Sequence, residues 1–269
     1  MGVLNITPDS FSDGGLFLDR DAAIRRAAQL VEDGADIIDI GGESSRPAGP
    51  YGKGAVAVTA EEEKRRTIPV IEDLTLRFDT PLSIDTVKAD VASAAIDAGA
   101  TVVNDISGLQ DPAMRDVIQT RNASVVIMHM QGSPQTMQHA PVYGDLIGEV
   151  SGFLASAACL AESAGIEKSR IAIDPGLGFG KTYEHNYEII RKLRSFCDLG
   201  YPLLVGPSRK TFVSKDASLP PKQREEGSLA ACVLCACAGA HIIRVHNVQA
   251  ARRALYVADR VRFSSEIET

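Results

Sequence analysis

Short apolar runs alternate with longer amphipathic stretches from one end of the chain to the other. The runs are rich in Val, Ile and Leu, and several stay apolar until their last residue, as is typical of strands buried on both faces of a parallel sheet. The stretches between them repeat apolar residues at helical spacing. The predicted strands are 2–5, 36–40, 82–85, 101–105, 124–129, 171–174, 202–205 and 242–245. The predicted helices are 21–33, 60–76, 87–98, 111–119, 146–164, 186–196, 226–238 and 248–261.

The order of these elements predicts the fold class. Eight strand–helix units follow one another in strict alternation, with no Pro- or Ser-rich linker and no change of composition between them. This is the pattern of a (β/α)8 TIM barrel, an α/β fold, and a chain of 269 residues is of the usual size for one. A doubly wound open sheet also alternates, but it more often divides into two halves. We therefore expect residues 1–269 to form a single barrel domain.

Polar side chains stand where the apolar runs end. In a parallel barrel, the C-terminal ends of the strands and the loops after them build the active site. Any one of these residues could instead cap a helix or start a turn, because Asp and Asn are common in both positions. Capping does not account for the whole set, so we expect the side chains to face one another across one mouth. They are Asn5, Asp39, Asp85, Asn104, Asp105, His129, Asp174, Ser208, Arg209, Lys210, Arg244 and His246.

These residue types suit two kinds of ligand group. Asp85, Asn104 and Asp174 offer hydrogen-bond acceptors and one amide. They suit a flat heterocycle with N–H and amino groups, because a carboxylate can pair with such an edge as it does with guanidinium. Arg244 and His246 are two residues apart on the last strand and project to the same side. Cations at this place in a barrel indicate an anion site.

A glycine-rich segment, Asp174-Pro-Gly-Leu-Gly-Phe-Gly-Lys181, follows the sixth strand. Its spacing matches neither the P-loop nor the dinucleotide-binding fingerprint. We expect its glycines to let the backbone lie close against a planar ligand, with Phe179 available for stacking.

Charge and composition narrow the range of partners. The net charge is −7 and no basic arm is present, which argues against a nucleic-acid partner. No apolar run reaches the length of a membrane helix, and no charged segment precedes a signal-like stretch, so we expect neither membrane insertion nor secretion. The five cysteines have no disulfide spacing, which fits the reducing cytoplasm.

Several motifs make the chain resemble the dihydropteroate synthases, a pterin-binding family, over nearly its full length. The resemblance implies a (β/α)8 barrel that joins 6-hydroxymethyl-7,8-dihydropterin diphosphate to 4-aminobenzoate and releases 7,8-dihydropteroate and pyrophosphate. It also implies Mg²⁺, inhibition by sulfonamides, and a homodimer, for which we expect the helix at 227–238 to form the contact. The motifs are Asn5-Ile-Thr-Pro-Asp-Ser-Phe-Ser-Asp-Gly-Gly15, Asp39-Ile-Gly-Gly-Glu-Ser-Ser-Arg-Pro47, Ser83-Ile-Asp-Thr86, Val103-Asn-Asp-Ile-Ser-Gly108, the glycine-rich segment above, Ser208-Arg-Lys210 and Arg244-Val-His246.

The resemblance also implies a role for individual residues. The loops 7–15 and 42–47 should close over the site. Catalysis should depend on Asn5, Lys210, Arg244 and His246, with Asn5 also holding the metal. The pterin should be bound by Asp85, Asn104, Met128, Asp174, Phe179 and Lys210. The 4-aminobenzoate pocket should contain Ser45, Arg46, Pro47, Phe179 and Thr211, with Thr211 at a helix N-terminus. The pyrophosphate should be bound by Asn5, Ser45, Arg46, Arg244 and His246.

Two features depart from the family pattern, and two alternatives stay open. Ser45 stands where the family usually has Thr, and the loop 48–58 is longer than the compact family version. With Phe212 opposite, this loop could form a rim that rejects sulfonamides. A methyltransferase acting on a methylated folate would share the barrel, but it would not need Ser208-Arg-Lys210, the Arg-x-His pair or the Asn5 loop. A catalytically inactive barrel is disfavoured because every family position holds a competent residue.

Overall fold

A computed structural model describes residues 1–6, 16–44, 57–214, 216 and 218–263. Within these residues, the predicted strands all form, although the last two are shorter than expected. Each begins where a β-branched or leucine-rich run starts and ends near the polar residue that follows it. The strands are β1 (Gly2–Asn5), β2 (Ile38–Gly41), β3 (Leu82–Asp85), β4 (Val102–Asp105), β5 (Ser124–Met128), β6 (Ile171–Asp174), β7 (Leu204–Val205) and β8 (Ile242–Ile243).

The strands close into a parallel barrel. β1 to β6 form one sheet in chain order, and β7 pairs with β8. Two parallel bridges join these sheets, from Ile173 to Leu203 and from Gly2 to Val245. The ring is therefore complete, and the predicted (β/α)8 barrel is confirmed.

Helices lie outside the strands, close to where the apolar spacing predicts them. The predicted helix 186–196 is the main exception, because it is two helices with a break at Lys192 and Leu193. Ile189, Leu193 and Phe196 are all fully buried, so the apolar side runs on across the break and gives the pattern of one helix. The helices are α1 (Leu16–Glu32), α2 (Ala60–Arg77), α3 (Ala89–Asp97), α4 (Pro112–Thr120), α5 (Leu146–Ser163), α6 (Tyr183–Arg191), α7 (Arg194–Cys197), α8 (Glu225–Cys237) and α9 (Val248–Arg262).

The core has two parts because successive strand residues point to opposite faces. Outward-facing residues such as Leu4, Ile40 and Ile84 pack against the helices in the large core cluster. Inside the barrel, a smaller apolar cluster forms the floor, and several side chains nearer the strand ends are polar, among them Asp85, Asn104 and Asp174. The buried members of the floor are Met1, Val126, Ala172 and Leu204.

One helix in the described part of the chain, α5, is long and apolar enough to cross a membrane. A single helix of this kind is weak evidence for a membrane span, because core helices can have the same length and apolar composition. The buried side of α5, which includes Val150, Leu154 and Ala158, packs on β5 and β6. The place of α5 in the barrel therefore accounts for the apolar residues on this buried side.

Candidate active site

Arg244, just after β8, is the centre of an ion-pair network in the mouth of the barrel. Its Nε donates to Asp39 Oδ2 at 2.6 Å, and its Nη2 donates to Asp85 Oδ2 at 2.7 Å. Asn104 Nδ2 also donates to Asp39 Oδ2, at 3.2 Å. Burial alone would lower the pKa of Arg244, but Asp39 and Asp85 hold it above its usual range. The guanidinium is therefore charged and fixed in one orientation, with Nη1 left without a protein partner among the described residues.

Two buried oxygens in this network have no hydrogen-bond partner in the described part of the chain. They are Asp39 Oδ1 and Ser83 Oγ, on side chains that are fully buried. Asp39 and Ser83 are neighbours in the β2–β3 register, so both face the same part of the interior. Buried polar atoms are nearly always paired with protein or water, so these two indicate a place for water or for a ligand that donates hydrogen bonds.

Asp85 and Asn104 lie side by side at the ends of β3 and β4. Burial raises the pKa of Asp85, and Arg244 only partly opposes this. The nearby carboxylates of Asp39 and Glu63 raise it further. The carboxyl can therefore hold a proton closer to neutral pH than an exposed aspartate would.

Asp174 and Lys210 are two ionisable groups on the other side of the mouth, and each influences the pKa of the other. Asp174 is buried at the end of β6, and its Oδ1 accepts a hydrogen bond from Gly176 N at 2.7 Å. Burial raises the pKa of Asp174, while Lys210 opposes this. Burial lowers the pKa of Lys210 to about 7, against the effect of Asp174. Lys210 Nζ lies 3.9 Å from the ring centroid of Phe179 and also donates to Leu177 O.

The glycines after β6 are required by protein contacts. Gly176 has φ +69°, and a Cβ there would lie 1.9 Å from His129 O. Gly178 has φ +80°, and its Cβ would lie 2.4 Å from Lys210 Cδ. The expectation that these glycines bring the backbone against a planar ligand stays a prediction, but contacts within the protein already require glycine at both positions. The glycines let the segment pack against the end of β5 and against the Lys210 side chain.

A buried lysine in the same segment has contacts that the sequence reading missed. Lys181 is 2% exposed, and its Nζ donates to Phe179 O at 2.9 Å and lies 3.0 Å from His129 Nδ1. Burial lowers the pKa of Lys181 to about 7, and burial together with Lys181 lowers the pKa of His129 to about 3. His129 is therefore neutral, and its Nδ1 can accept a hydrogen bond from Lys181 Nζ. The only sequence signal was a lysine at the end of a segment that leaves a buried strand.

His246 is held by an unpredicted contact with Ser208. Ser208 Oγ lies 3.0 Å from His246 Nδ1, and it accepts a hydrogen bond from His246 N at 3.3 Å. Arg26, on α1, donates from Nη2 to His246 O at 2.7 Å. The last strand end and the Ser208-Arg-Lys210 turn are therefore tied together, which orients the imidazole.

Asn5 stands at the exposed end of β1, beside a gap left by a glycine. Gly41 lies between Asn5 and Asp85 in the strand register. A Cβ on Gly41 would lie 3.6 Å from Asn5 Oδ1 and 3.9 Å from Asp85 Oδ2, so space remains between these oxygens. Outside the gaps at 7–15, 45–56 and the C-terminus, no group of three His, Cys, Asp or Glu is placed to hold a metal.

That donor set fits Mg²⁺ bound together with a phosphate ligand. Mg²⁺ keeps several waters and is commonly held by one or two protein oxygens plus substrate phosphates. Asn5 offers one such oxygen, with Asp85 across the gap at Gly41. Among the described residues, no full set of protein ligands for a metal is present here.

The other predicted site residues fall into three groups. Met128 is buried beside Asp174 in the β5–β6 register. Thr211 is exposed at the start of Thr211–Val213, a single turn of 3-10 helix. Thr211 therefore does begin a helix, as expected, but only a three-residue 3-10 helix, and the next α-helix, α8, begins at Glu225. Ser45, Arg46, Pro47, the loop 7–15 and most of the loop 48–58 lie outside the described residues.

Two residues that were expected to face the mouth do not. Phe212 is 1% exposed and its ring packs edge-on against Tyr187, so its place in a pocket rim is wrong. Asp105 accepts hydrogen bonds from the backbone of Ser107 at 2.7 Å and of Leu109 at 3.1 Å. It stabilises the turn after β4, as aspartates that follow strands often do.

Comparison with known proteins agrees with this geometry. Residues 1–246 match the family described as pterin binding enzyme. Dihydropteroate synthase from Synechocystis is 48% identical over 261 residues, which cover 96% of this chain and 88% of that protein.

Two solved structures share the fold. Yersinia pestis dihydropteroate synthase with a sulfonamide drug complex is 43% identical, with a TM-score of 0.90 and coverage of 97% of this chain and 93% of that one. Xanthomonas albilineans dihydropteroate synthase with 4-aminobenzoic acid is 45% identical, with a TM-score of 0.89 and coverage of 97% and 92%. This chain therefore belongs to the pterin-binding enzymes and, among them, to the dihydropteroate synthases.

Proposed function

We propose that the mouth of this barrel condenses 6-hydroxymethyl-7,8-dihydropterin diphosphate with 4-aminobenzoate, giving 7,8-dihydropteroate and pyrophosphate. The observation that supports this most directly is the buried polar layer around Arg244, in which Asp39 Oδ1 and Ser83 Oγ have no partner among the described residues. A flat heterocycle with several N–H groups is the kind of ligand that such a layer can bind.

The pterin is held by the residues on both sides of Arg244. Asp174 uses Oδ1 for Gly176 N, which leaves Oδ2 for the amino-pyrimidinone edge of the pterin. Asn104 supplies an amide that can both donate and accept. Lys210, whose Nζ lies over the ring of Phe179, and Met128, which is beside Asp174 in the β5–β6 register, complete this side of the pocket. Asp85, on the opposite side, can accept from the ring or, when protonated, donate to it.

The chemical step is a displacement at the exocyclic CH₂ of the pterin. The 4-aminobenzoate nitrogen attacks this carbon with its lone pair, the C–O bond to the diphosphate breaks, and the diphosphate leaves with the electron pair. The new N–H then loses a proton to solvent or to the leaving group. An arylamine attacks in its neutral form, so the reaction needs stabilisation of negative charge on the leaving group more than a strong base. Arg244 Nη1 and His246 are the groups for that task.

The metal and the second substrate complete the site. We assign Mg²⁺ to Asn5, where it would neutralise charge on the diphosphate. Ser45, Arg46 and Pro47, on the loop after β2, are assigned to 4-aminobenzoate and, for Ser45 and Arg46, also to the diphosphate. Thr211, near Lys210, is assigned to the 4-aminobenzoate carboxylate. Sulfonamides, one of which the Yersinia pestis structure contains, are then expected to compete with 4-aminobenzoate.

The assembly proposed is a homodimer in the cytoplasm, built from a single-domain chain. Leu234 on α8 and Tyr256, Val257 and Val261 on α9 are all more than half exposed, and these two helices pack together. An apolar face of this kind favours contact with a second copy. In light-scattering measurements, Leu234→Lys should shift the protein towards monomer, whereas Leu160→Lys on α5 should leave the dimer intact. A monomeric wild type would contradict the proposal.

The test of the function is pyrophosphate release with each substrate omitted in turn. Release should require both the pterin diphosphate and 4-aminobenzoate. Lys210→Met should lower the rate by about a hundredfold, the loss typical of one electrostatic contact in an active site. Lys192→Met is the matched control, because Lys192 is half exposed and its ion pair in the described part of the chain is with Glu188 on α6.

Two outcomes would contradict the assignment. One is release that does not depend on 4-aminobenzoate. The other is methyl transfer from a methylated tetrahydrofolate, which would indicate a methyltransferase with the same barrel.

A further inference from the structure

The turn that carries Lys210 contains a residue in an unfavourable backbone conformation. Arg209 has φ +62°, in the left-handed region. A side chain with a Cβ disfavours this region, and Arg has no short polar group to compensate for it locally. Such a conformation persists only where surrounding contacts impose it, and it is found preferentially at functional sites.

Two residues from the start of α8 make those contacts. Arg209 N donates to Ser228 Oγ at 2.9 Å, and Arg224 Nη1 donates to Arg209 O at 3.0 Å. Both polar groups of the Arg209 backbone are thus bound by one turn of one helix. Ser228 and Arg224 are themselves buried, at 3% and 4% exposure.

Arg224 and Ser228 are also fixed to each other and to the loop before them. Ser228 Oγ donates to Arg224 O at 2.5 Å, and Arg224 Nε donates to Leu219 O at 2.9 Å. Between them, Gly227 lets the helix approach very closely, since a Cβ there would lie 1.8 Å from Val213 O. The first turn of α8 is therefore packed directly on the backbone that continues from Lys210.

The left-handed residue separates two side chains of the proposed site. On one side, Ser208 Oγ contacts His246 Nδ1 at 3.0 Å. On the other side, Lys210 Nζ lies over the ring of Phe179 at 3.9 Å. Because Arg209 reverses the chain direction, Ser208 and Lys210 can reach opposite parts of the mouth, and a relaxed backbone at Arg209 would move at least one of them.

We propose that Arg224 and Ser228 are positioning residues that hold Arg209 in its left-handed conformation and so place Lys210 and His246 in the mouth. Neither residue contacts the substrates under the proposed function, on which this inference rests. The competing explanation is that the two residues only stabilise the start of α8. The two explanations differ in whether a change at Ser228 depends on what stands at position 209.

The test is a pair of substitutions measured alone and together. Ser228→Ala removes the acceptor for Arg209 N and should lower kcat/KM about tenfold, which is the loss of about one hydrogen bond. Arg209→Gly removes the need for the contact, because glycine adopts positive φ without strain. In the Arg209→Gly background, Ser228→Ala should therefore lower kcat/KM by less than about threefold.

The matched control is Ser156→Ala on α5. Ser156 Oγ donates to the carbonyl four residues earlier, Gly152 O, at 2.8 Å, just as Ser228 does to Arg224 O. It is exposed and far along the chain from the turn. Ser156→Ala should leave kcat/KM within about twofold of wild type.

A second readout does not need activity. Trypsin cleaves after Arg and Lys, so a loosened turn should be cut faster after Lys210, and mass spectrometry identifies the site. Ser228→Ala should speed this cut with the thermal midpoint otherwise preserved, and Ser156→Ala should not. If Ser228→Ala lowers kcat/KM equally in both backgrounds, or changes neither rate nor cleavage, the positioning role is refuted. A different result would separate the two proposals. If the wild type releases no pyrophosphate but Ser228→Ala is still cleaved faster than the wild type, the positioning of the turn is supported and the proposed function is refuted.

Discussion

Replacing Asp39 with asparagine tests the ion-pair network at the centre of the mouth. Asp39 is fully buried, and its Oδ2 accepts from Arg244 Nε and Asn104 Nδ2. An amide oxygen can keep both of these hydrogen bonds. The substitution nevertheless removes the negative charge that assists the Arg244 bond, and it puts an NH₂ donor at the buried position of Oδ1, an acceptor that already lacks a partner among the described residues.

The expected loss follows from these two changes. A hydrogen bond to a charged group contributes about 1.5–3 kcal/mol, and a buried donor without a partner costs about 1–3 kcal/mol. Asp85 still pairs with Arg244 at 2.7 Å, so the guanidinium keeps one counter-charge. We therefore expect Asp39→Asn to lower the free energy of unfolding by about 2.5–4 kcal/mol, in the lower half of the summed range.

Urea denaturation of the free protein measures this loss, with Asp116→Asn as the control. Asp116 is an exposed residue of α4, and its substitution should change the free energy of unfolding by less than about 0.5 kcal/mol. A loss for Asp39→Asn as small as that of the control would mean that the buried carboxylate does not support Arg244. The electrostatic description of the mouth would then be wrong.

Three other predictions concern the rest of the site. Gly178→Ala should weaken binding of the pterin diphosphate in calorimetry by about tenfold or more. The new Cβ would collide with Lys210 Cδ, and alanine disfavours the backbone φ of +80° at this position. Unchanged affinity would contradict the close packing. Burial lowers the pKa of Lys181 to about 7 from an ordinary 10.5, so unfolding takes up a proton between these values and stability rises with pH across that range. Lys181→Met should make urea stability less dependent on pH between about 7 and 10, and an unchanged slope would refute this. Asn5→Ala should raise the Mg²⁺ concentration needed for half-maximal pyrophosphate release, and an unchanged metal requirement would remove Asn5 from the metal site.

The barrel and its mouth could be predicted because both depend on local pattern. A strand buried on both faces is almost wholly apolar, so runs such as 82–85 and 171–174 stand out without tertiary information. The parallel order then brings the strand ends to one face, which is why Asp85, Asn104 and Asp174 could be placed together. The break between α6 and α7 could not be predicted, because the apolar spacing continues through Leu193.

The partners of each side chain could not be predicted, because they depend on which residues meet across the barrel. Asp39 and Arg244 are 205 residues apart in the chain, yet they form the shortest bond of the network. The contact of Lys181 with His129 and that of Ser208 with His246 are of the same long-range kind. Phe212 was misplaced for a related reason, since a single 3-10 turn can direct a large side chain to either face.

The most direct test of the account is calorimetric titration of the pterin diphosphate, without 4-aminobenzoate, into wild type and Asp174→Asn. Asp174 lies buried with Oδ2 available for the pterin edge. In Asp174→Asn, the NH₂ group of the asparagine would face an N–H donor of the pterin. We predict that Asp174→Asn weakens the Kd by about thirtyfold or more, equivalent to about 2 kcal/mol, while the Kd of Asp116→Asn stays within twofold of wild type. A Kd for Asp174→Asn within twofold of wild type would contradict the account, because the pterin would then bind elsewhere.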